Sequence, residues 1–264
     1  MPEHAPLTVG NSRVKDARRL SRRSVRTERR LFLADGPKAV EGALEAECVV
    51  EVFTTSDASQ RYDALLAVAP RVSLVDDRAL ASLSDSVTPA GMVAVCSFLD
   101  VSLESALGTA RDGSSLVAIC ADVRDPGNAG TIIRTADALG ADAIALAGHS
   151  VDPYNAKCVR ASVGSLFHLP LAVEPDPGAA VAAAQVAGLV VLAADGGGEL
   201  TLSDAAEILA GPTAWLFGNE AWGLPAELAA LADHRVRIPI QGRAESLNLA
   251  TAAAICLHES ARAR

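Results

Sequence analysis

The strongest constraint on the fold is an alternation of apolar and helix-like segments in the second half of the chain. Apolar runs of strand length predict buried strands at Leu116–Ala121, Ala143–Ala147, Leu189–Ala194, Ala214–Phe217 and Arg235–Ile240. Helices are predicted between and after them, at Ala129–Leu139, Ala179–Ala187, Pro225–Leu231 and Leu247–Ala261. Uninterrupted apolar strands separated by helices are typical of a parallel sheet that is covered on both faces. The second half is therefore predicted to be an α/β domain.

The first half shows the same alternation more weakly. Strand-like segments are predicted at Leu31–Ala34, Val49–Thr54, Arg71–Val75 and Gly91–Phe98, with helix-like segments between them. A looser, polar stretch follows, and we place a domain boundary there. The predicted organisation is an N-terminal arm (residues 1–30), a small α/β domain (31–100), a linker (101–115) and a second α/β domain (116–264).

The charge of the chain is divided unevenly. The formal net charge is −9, but residues 1–30 carry +6 and the remainder carries −15. The basic residues of the arm are Arg13, Lys15, Arg18, Arg19, Arg22, Arg23, Arg26, Arg29 and Arg30. Such an arm would attract a polyanion, whereas the acidic body would repel one. A solvated or disordered arm without a partner explains the same charges equally well.

Composition excludes several other classes of protein. Half of the residues are hydrophobic and 21% are charged, which is typical of a globular chain. The five cysteines are scattered, which argues against a disulfide framework or a zinc site and favours a reducing cytoplasm. We find no secretory signal, and the apolar stretch at residues 178–194 is too short to span a bilayer. A cytoplasmic protein without a metal site or a membrane association is predicted.

Ligands of parallel sheets bind at the carboxyl ends of strands, so a functional site is expected in the loops that follow the predicted strands. The loop after Ala121 lacks the glycine patterns of dinucleotide and phosphate loops, which counts against an oxidoreductase. In it, Asn128 could simply cap a helix. Arg134 lies roughly 200° around that helix from Ile132, so it points away from the core. This direction suits a residue that reaches over a cleft, and it suits an ordinary surface residue equally.

Two later loops carry polar residues as well. The strand ending at Phe217 is followed by Gly218-Asn219-Glu220, which would let a backbone approach a ligand closely and offers it a carboxylate. After Ile240, Ser246 could cap the last helix. Asn248 would then lie one turn inside that helix, where capping does not explain it. Taken one at a time, each of these residues has a structural explanation at least as good as a functional one.

Taken together, the three loops resemble a known family. The ordered set Asn128-x5-Arg134, Gly218-Asn219-Glu220-x2-Gly223-Leu224 and Ile238-Pro239-x6-Ser246-Leu247-Asn248 is similar to the signature motifs of the SpoU (TrmH-type) RNA ribose methyltransferases of the SPOUT superfamily. The resemblance covers residues 116–262, including a similar middle region at 150–164. The segment 32–38 resembles a small α/β RNA-binding module related to ribosomal proteins. Asp35 and Ala221 depart from the usual Glu and Gly, and neither change removes a reacting group.

The resemblance implies a fold and an activity. The fold is an α/β SPOUT domain with a parallel sheet and a deep trefoil knot, which breaks the usual rule that chains are unthreaded. The activity is transfer of a methyl group from S-adenosylmethionine to a ribose 2′-hydroxyl of structured RNA, with 23S ribosomal RNA as the favoured substrate. A homodimer whose active site takes residues from both chains is also implied. Alternatives are a transfer-RNA methyltransferase and a non-catalytic RNA-binding protein on the same fold.

The family's functional positions transfer to particular residues here. The implied catalytic set is Asn128, Arg134, Glu220, Ser246 and Asn248, and the implied cofactor-binding set is Ala194, Gly218, Asn219, Ile238 and Leu247. The basic residues of the arm would bind RNA phosphates. A guanidinium has a pKa too high for a general base, so we assign Arg134 to gripping the target phosphate and stabilising the developing alkoxide.

Overall fold

The computed structural model describes residues 5–108 and 115–264. These residues form two compact units. Unit 1 contains the chain up to Leu99 together with Tyr154–His168, and unit 2 contains Asp100–Pro153 and Leu169–Arg264. Most of the polar part of the predicted linker, residues 109–114, lies outside the described residues.

Helices and strands alternate along the chain. The α-helices are α1 (Ser12–Arg18), α2 (Arg23–Arg29), α3 (Pro37–Glu45), α4 (Ser56–Arg61), α5 (Asp63–Leu66), α6 (Asp77–Leu83), α7 (Leu103–Leu107), α8 (Pro126–Ala138), α9 (Ala156–Ser162), α10 (Pro177–Val186), α11 (Ala206–Leu209), α12 (Ala226–Ala229) and α13 (Leu249–Ala263). The strands are β1 (Leu31–Asp35), β2 (Val49–Thr54), β3 (Val72–Leu74), β4 (Met92–Ser97), β5 (Leu116–Ala121), β6 (Ala143–Ala147), β7 (Leu171–Glu174), β8 (Val190–Ala194), β9 (Leu200–Thr201), β10 (Thr213–Phe217) and β11 (His234–Arg237). Short 3-10 helices occupy Arg19–Ser21 and Ser165–Phe167.

The core of unit 2 is a seven-stranded sheet with the order β7-β6-β5-β10-β8-β11-β9. Every neighbouring pair in it is parallel, which confirms the predicted parallel α/β sheet. The inner strands β5, β6 and β10 are buried along their whole length, and this burial explains their uninterrupted apolar sequences. The edge strands β7 and β9 were not predicted, because they are short and partly exposed and lack such runs.

Two helix starts differ from the sequence interpretation. Helix α8 begins at Pro126 because Asp125, not Asn128, caps it, and the Asn128 backbone N–H donates to Asp125 Oδ1 at 2.8 Å. Helix α13 begins at Leu249, and Asn248 is its cap, with Oδ1 accepting from the Thr251 N–H at 3.2 Å. The predictions that Ser246 caps the last helix and that Asn248 lies inside it are therefore wrong.

Helix α13 is fixed against the sheet by a buried hydrogen bond. The indole N–H of Trp215 on β10 donates to Ser260 Oγ at 2.9 Å, and both side chains are fully buried. A buried polar pair of this kind is costly to break, because either partner left alone loses its hydrogen bond without regaining water. The contact holds the last helix beside the strand that precedes the Gly218 loop.

Unit 1 contains a four-stranded sheet with the order β1-β4-β2-β3, in which only β2 and β3 run parallel. Helices α1 and α2 belong to this unit, and Val14, Ala17, Leu20 and Val25 are part of its buried core. Residues 12–29 are therefore not a separate arm. Their apolar stripe is interleaved with arginines, so that the net charge of the segment concealed its amphipathic pattern.

A segment from the second half of the chain also belongs to unit 1. Within Tyr154–His168, the ring of Tyr154 lies 3.9 Å from that of Phe98 and 4.6 Å from that of Phe32, measured between centroids. The Tyr154 hydroxyl also accepts a hydrogen bond from the Leu99 backbone N–H at 2.7 Å. The structure thus departs from a continuous second domain over residues 116–264, because contacts distant in sequence decide where this segment packs.

Two further features bear on the class of protein. None of the helices in residues 5–108 and 115–264 is long and apolar enough to cross a bilayer. All five cysteines lie in the described part of the chain, where they are buried and form no disulfide.

Candidate active site

The loop after β10 forms a tight turn that depends on glycine. Asn219 and Gly223 exchange two backbone hydrogen bonds, of 3.0 Å from the Asn219 N–H and 2.9 Å from the Gly223 N–H. A Cβ atom on Gly218 would lie 2.4 Å from the carbonyl carbon of Gly223, closer than real Cβ atoms come to other atoms. Gly223 itself has φ of +70°, a conformation that favours glycine. The turn therefore requires glycine at both positions for steric and conformational reasons.

Asn219 joins this turn to the loop after β5. Its Nδ2 donates to the carbonyl oxygen of Asp122 at 2.7 Å, and its Oδ1 accepts from the Ala221 N–H at 2.8 Å. Asp122 in turn has φ of +55° and accepts from the His149 N–H through Oδ1 at 2.7 Å. The buried Asn219 amide thus holds two loops in a fixed relation.

Glu220 lies at the start of helix α8 and accepts hydrogen bonds from its first turn and from the two residues that precede the helix. The backbone N–H groups of Arg124 and Asp125 donate to it at 3.2 and 3.0 Å, and Asn128 Nδ2 donates at 3.2 Å. Partial burial by itself would raise the pKa of Glu220, but the hydrogen bonds from Asp125, from its own N–H, from Arg124 and from Asn128 outweigh it and lower the pKa. The carboxylate is therefore held in its charged form as an acceptor.

Asn248 extends this contact into a chain across all three loops. Its Nδ2 donates to Asn128 Oδ1 at 3.1 Å, while Asn128 Nδ2 donates to Glu220. The orientations of both side-chain amides are fixed. Asn128 must direct its NH2 group to Glu220, because a carboxylate only accepts, and Asn248 must direct its oxygen to the Thr251 N–H, which only donates. We call Asn248, Asn128 and Glu220 the polar frame.

A cavity of about 280 Å³ opens beside the polar frame. Every residue predicted to bind the cofactor lines it, together with two from the predicted catalytic set: Ala194, Gly218, Asn219, Ile238, Leu247, Glu220 and Ser246. Most of the wall consists of glycine, alanine and aliphatic residues. Such a wall suits a ligand that is recognised through backbone groups and by apolar contact.

Arg134 lies elsewhere on unit 2. It is exposed and lines a separate groove of about 770 Å³ between helices α8 and α13, with Leu139 and Ile255 among the other lining residues. Asn128 and Arg134 are six residues apart and therefore face different sides of α8. Within one chain, the structure does not bring Arg134 to the cavity, although it brings the other four predicted catalytic residues to the cavity or to the adjoining frame.

The predicted RNA-binding residues divide into two groups. Arg26 is buried, and its Nη1 donates to the carbonyl oxygens of Leu20 and Ser21 at 2.8 and 2.9 Å. Arg13 forms an ion pair with Glu51 and donates to a neighbouring serine. These two arginines serve the packing of unit 1. The exposed residues, which we call the basic surface, are Lys15, Arg18, Arg19, Arg22, Arg23, Arg29 and Arg30.

Sequence reasoning missed two charged residues of the cavity. Asp195 follows β8 directly, and Glu245 precedes Ser246; both line the cavity. The position of Asp195 at the carboxyl end of a parallel strand was the available signal. In the described ranges, no three His, Cys, Asp or Glu side chains are grouped so that they could hold a metal ion.

Fold and site together define an α/β enzyme domain with a small-ligand cavity at the carboxyl edge of a parallel sheet, accompanied by a second unit. Residues 115–258 match the model of the SpoU rRNA methylase family, and residues 11–94 match that of an MRM3-like substrate-binding domain. The chain belongs to the SpoU rRNA methylase family.

Relatives of known or assigned activity support this membership. The 23S rRNA (guanosine(2553)-2′-O)-methyltransferase RlmP of Bacillus subtilis is 33% identical over 250 residues, which cover 94% of this chain and 95% of that protein. A tRNA (guanosine(18)-2′-O)-methyltransferase of Thermus thermophilus is 36% identical over 160 residues, covering 58% and 78%.

Solved structures resemble the whole chain. An AdoMet-bound rRNA methyltransferase from Sinorhizobium meliloti has a TM-score of 0.86 at 33% identity, covering 98% of this chain and 97% of that one. The SpoU methyltransferase AviRb from Streptomyces viridochromogenes, in complex with AdoMet, has a TM-score of 0.86 at 33% identity, covering 96% and 97%. The predicted family and the predicted α/β class with a parallel sheet are therefore confirmed.

Proposed function

We propose that the protein transfers a methyl group from S-adenosylmethionine to a ribose 2′-hydroxyl in 23S ribosomal RNA. The observation that carries the proposal is the polar frame beside a cavity walled mainly by small and aliphatic residues, in a chain of the SpoU rRNA methylase family. Gly218 supports the cofactor assignment in particular, because it lines the cavity and any side chain there would displace the turn that forms part of the wall. When bound, S-adenosylmethionine supplies an electrophilic methyl group.

The residues of the chain would contribute mainly by positioning. The polar frame fixes the loops after β5 and β10 and the start of α13 relative to one another, and Ser246 offers a hydroxyl at the cavity wall. Holding a ribose oxygen in line with the methyl group can contribute about 7–11 kcal/mol in favourable cases. Glu220 acts here as an acceptor that anchors the frame, since its hydrogen bonds make it a weaker base.

We infer that the active unit is a homodimer. Arg134 is needed for phosphate and alkoxide stabilisation in the proposed reaction, yet it lies in a groove apart from the cavity of its own chain. Apolar side chains of α8 and α13, including Leu139 and Ile255, line that groove. A second copy seated on the α8–α13 face would bury these residues and carry Arg134 towards the cavity of its partner. The trefoil knot stays a prediction from family membership.

Unit 1 is proposed to bind the RNA. Its match to a substrate-binding domain and the exposed side chains of the basic surface support this role. A ribosomal RNA substrate is favoured over transfer RNA because RlmP aligns with nearly the whole chain, including unit 1, whereas the transfer-RNA enzyme aligns with little more than half. We further propose that the protein acts in the cytoplasm, which fits a ribosomal RNA substrate and the bacterial relatives.

Mapping 2′-O-methyl groups tests the proposal directly. The purified protein and labelled S-adenosylmethionine would be incubated with 23S ribosomal RNA and, separately, with transfer RNA, both taken from cells that lack the gene. We expect one ribose in 23S RNA to be labelled, and Gly218→Ala to abolish the label. Labelling of transfer RNA alone would replace the substrate assignment, and no label on either RNA would overturn the enzymatic assignment.

A further inference from the structure

The cavity has an unusual charge balance. Three carboxylates line it, from Asp195, Glu220 and Glu245, and no Lys, Arg or His does so among the described residues. Glu220 is engaged by the donors of the polar frame, so its charge is partly compensated there. The proposed reaction leaves Asp195 and Glu245 without a role.

The charge of Asp195 is only partly compensated by its surroundings. Its Oδ1 accepts a hydrogen bond from the Gly197 N–H at 2.9 Å, and its Oδ2 lies 3.9 Å from Nη1 of Arg235. That arginine is already engaged, since its Nε and its backbone N–H donate to Glu199 at 3.1 and 2.9 Å. The guanidinium of Arg235 is therefore paired more closely with Glu199 than with Asp195.

Glu245 has no compensating group in the part of the chain that the structure describes. It is exposed on the loop that precedes α13, it lines the cavity, and no ion pair or hydrogen bond there engages its side chain. A carboxylate without a partner at a cavity wall makes the potential inside that cavity more negative. Asp195 and Glu245 lie on different loops, so they contribute to this potential from two parts of the wall.

We propose that Asp195 and Glu245 make the cavity select the charged methyl donor over its neutral product. The inference rests on the proposed function. In the transfer, the bond between sulfur and the methyl carbon breaks with its electron pair left on sulfur, a carbon–oxygen bond forms, and the hydroxyl proton passes to solvent. The sulfonium cation thereby becomes an uncharged thioether. One partly compensated carboxylate and one without a partner in the described residues favour the cation over the thioether by Coulomb attraction, which promotes exchange of product for fresh donor.

Three ligands separate this role from ordinary binding contacts. Calorimetric titration would compare S-adenosylmethionine, S-adenosylhomocysteine and sinefungin, which has an ammonium group in place of the sulfonium. The variants are Asp195→Asn, Glu245→Gln and their combination, with Glu227→Gln as a matched control because Glu227 is exposed on α12 and outside the cavity lining. We expect each single variant to weaken binding of the two charged ligands about 3-fold at low salt, and the combination about 10-fold.

The neutral product and the salt dependence provide the decisive comparisons. Binding of S-adenosylhomocysteine should change by less than about 2-fold in every variant, and the effect on the charged ligands should shrink at about 0.5 M salt. An equal loss for all three ligands would overturn the proposal, because the carboxylates would then contact groups that the ligands share. An unchanged affinity for all three would overturn it as well.

Failure of this proposal is distinguishable from failure of the proposed function. If the unaltered protein bound neither S-adenosylmethionine nor S-adenosylhomocysteine, the cofactor assignment itself would be wrong. Should Asp195→Asn fold poorly through loss of its turn, Glu245→Gln alone still decides the question, since its exposed side chain forms no hydrogen bond or ion pair in the described residues.

Discussion

The side-chain amide of Asn248 donates to Oδ1 of Asn128 at 3.1 Å, although 120 residues separate the two positions. The same Asn248 caps helix α13, and the same Asn128 donates to Glu220. One side chain therefore has both a structural role at a helix start and a place in the polar frame. The two roles can be separated, because each depends on a different atom of the amide.

Replacement of Asn248 by aspartate tests this separation. Asn248→Asp keeps the oxygen that caps α13, so the free energy of unfolding should change by less than about 0.5 kcal/mol. It replaces the donor to Asn128 with an acceptor, and we expect single-turnover methylation to fall at least about 10-fold. Asn248→Ala is the control and should also lose about 1 kcal/mol of stability. Unchanged turnover in Asn248→Asp would show that the frame does not support catalysis.

The lowered pKa of Glu220 predicts a pH-dependent contribution to stability. A carboxyl group whose pKa is lowered by folding stabilises the protein fully above its ordinary value of 4.5, and loses this effect as the pH falls through the lower folded-state value. The stability difference between the unaltered protein and Glu220→Gln should therefore narrow as the pH is lowered through and below 4.5. Urea unfolding at a series of pH values measures it, with Glu227→Gln as the correction for loss of a surface carboxylate. A gap that widens at low pH would contradict the prediction.

Gly218→Ala should damage both the turn and the cavity. The added methyl group would meet the Gly223 carbonyl carbon at 2.4 Å, so the turn must shift. We expect a loss of about 1–3 kcal/mol in the free energy of unfolding and a marked loss of S-adenosylmethionine binding. Gly242→Ala is the control, since a Cβ there has no neighbouring heavy atom within 4 Å. Equal effects of the two variants would argue against the close approach at Gly218.

Arg134→Lys should keep cofactor binding and lose most activity. Lysine preserves the charge, but it lacks the planar fork that grips a phosphate with two hydrogen bonds. Single-turnover methylation checks this, and near-normal turnover would remove the argument for bidentate gripping.

Mixing the Arg134→Ala protein with the Glu220→Ala protein tests whether the two chains of a dimer share each active site. If each chain supplies Arg134 to its partner, random mixed dimers should recover about a quarter of full activity; if both residues act within one chain, the mixture should stay inactive.

The basic surface can be tested without disturbing the core of unit 1. Deleting residues 1–30 is unsuitable, because the deletion would remove Val14 and Leu20 from that core. Arg18→Ala and Arg22→Ala should each reduce the slope of log affinity against log salt by about 1, without loss of stability. Arg78→Ala, an exposed arginine on α6, is the control. An unchanged slope in both test variants would contradict RNA binding at this surface.

The sequence alone predicted those elements whose physical environment leaves a local mark. The buried inner strands of unit 2 require continuous apolar runs, and all five predicted strands overlap observed ones. The loops beyond their carboxyl ends were identified for the same reason, and they provide the cavity wall. The roles of the predicted site residues stay predictions, although the structure assembles most of them around one cavity.

Other features depended on contacts that no local pattern reports. Any Asn or Ser near a helix start can cap it, and only the packed structure shows that Asp125 and Asn248 are the caps. The arginine content of residues 12–29 suggested a separate arm, whereas Leu20 and its apolar neighbours bury that segment in unit 1. The sequence by itself determined the alternation of strands and helices and the family, because these depend on short-range patterns of residue type. The tertiary structure decided which distant side-chain amides are joined by a hydrogen bond, which arginines reach solvent and where Tyr154–His168 packs, because those outcomes depend on long-range contacts.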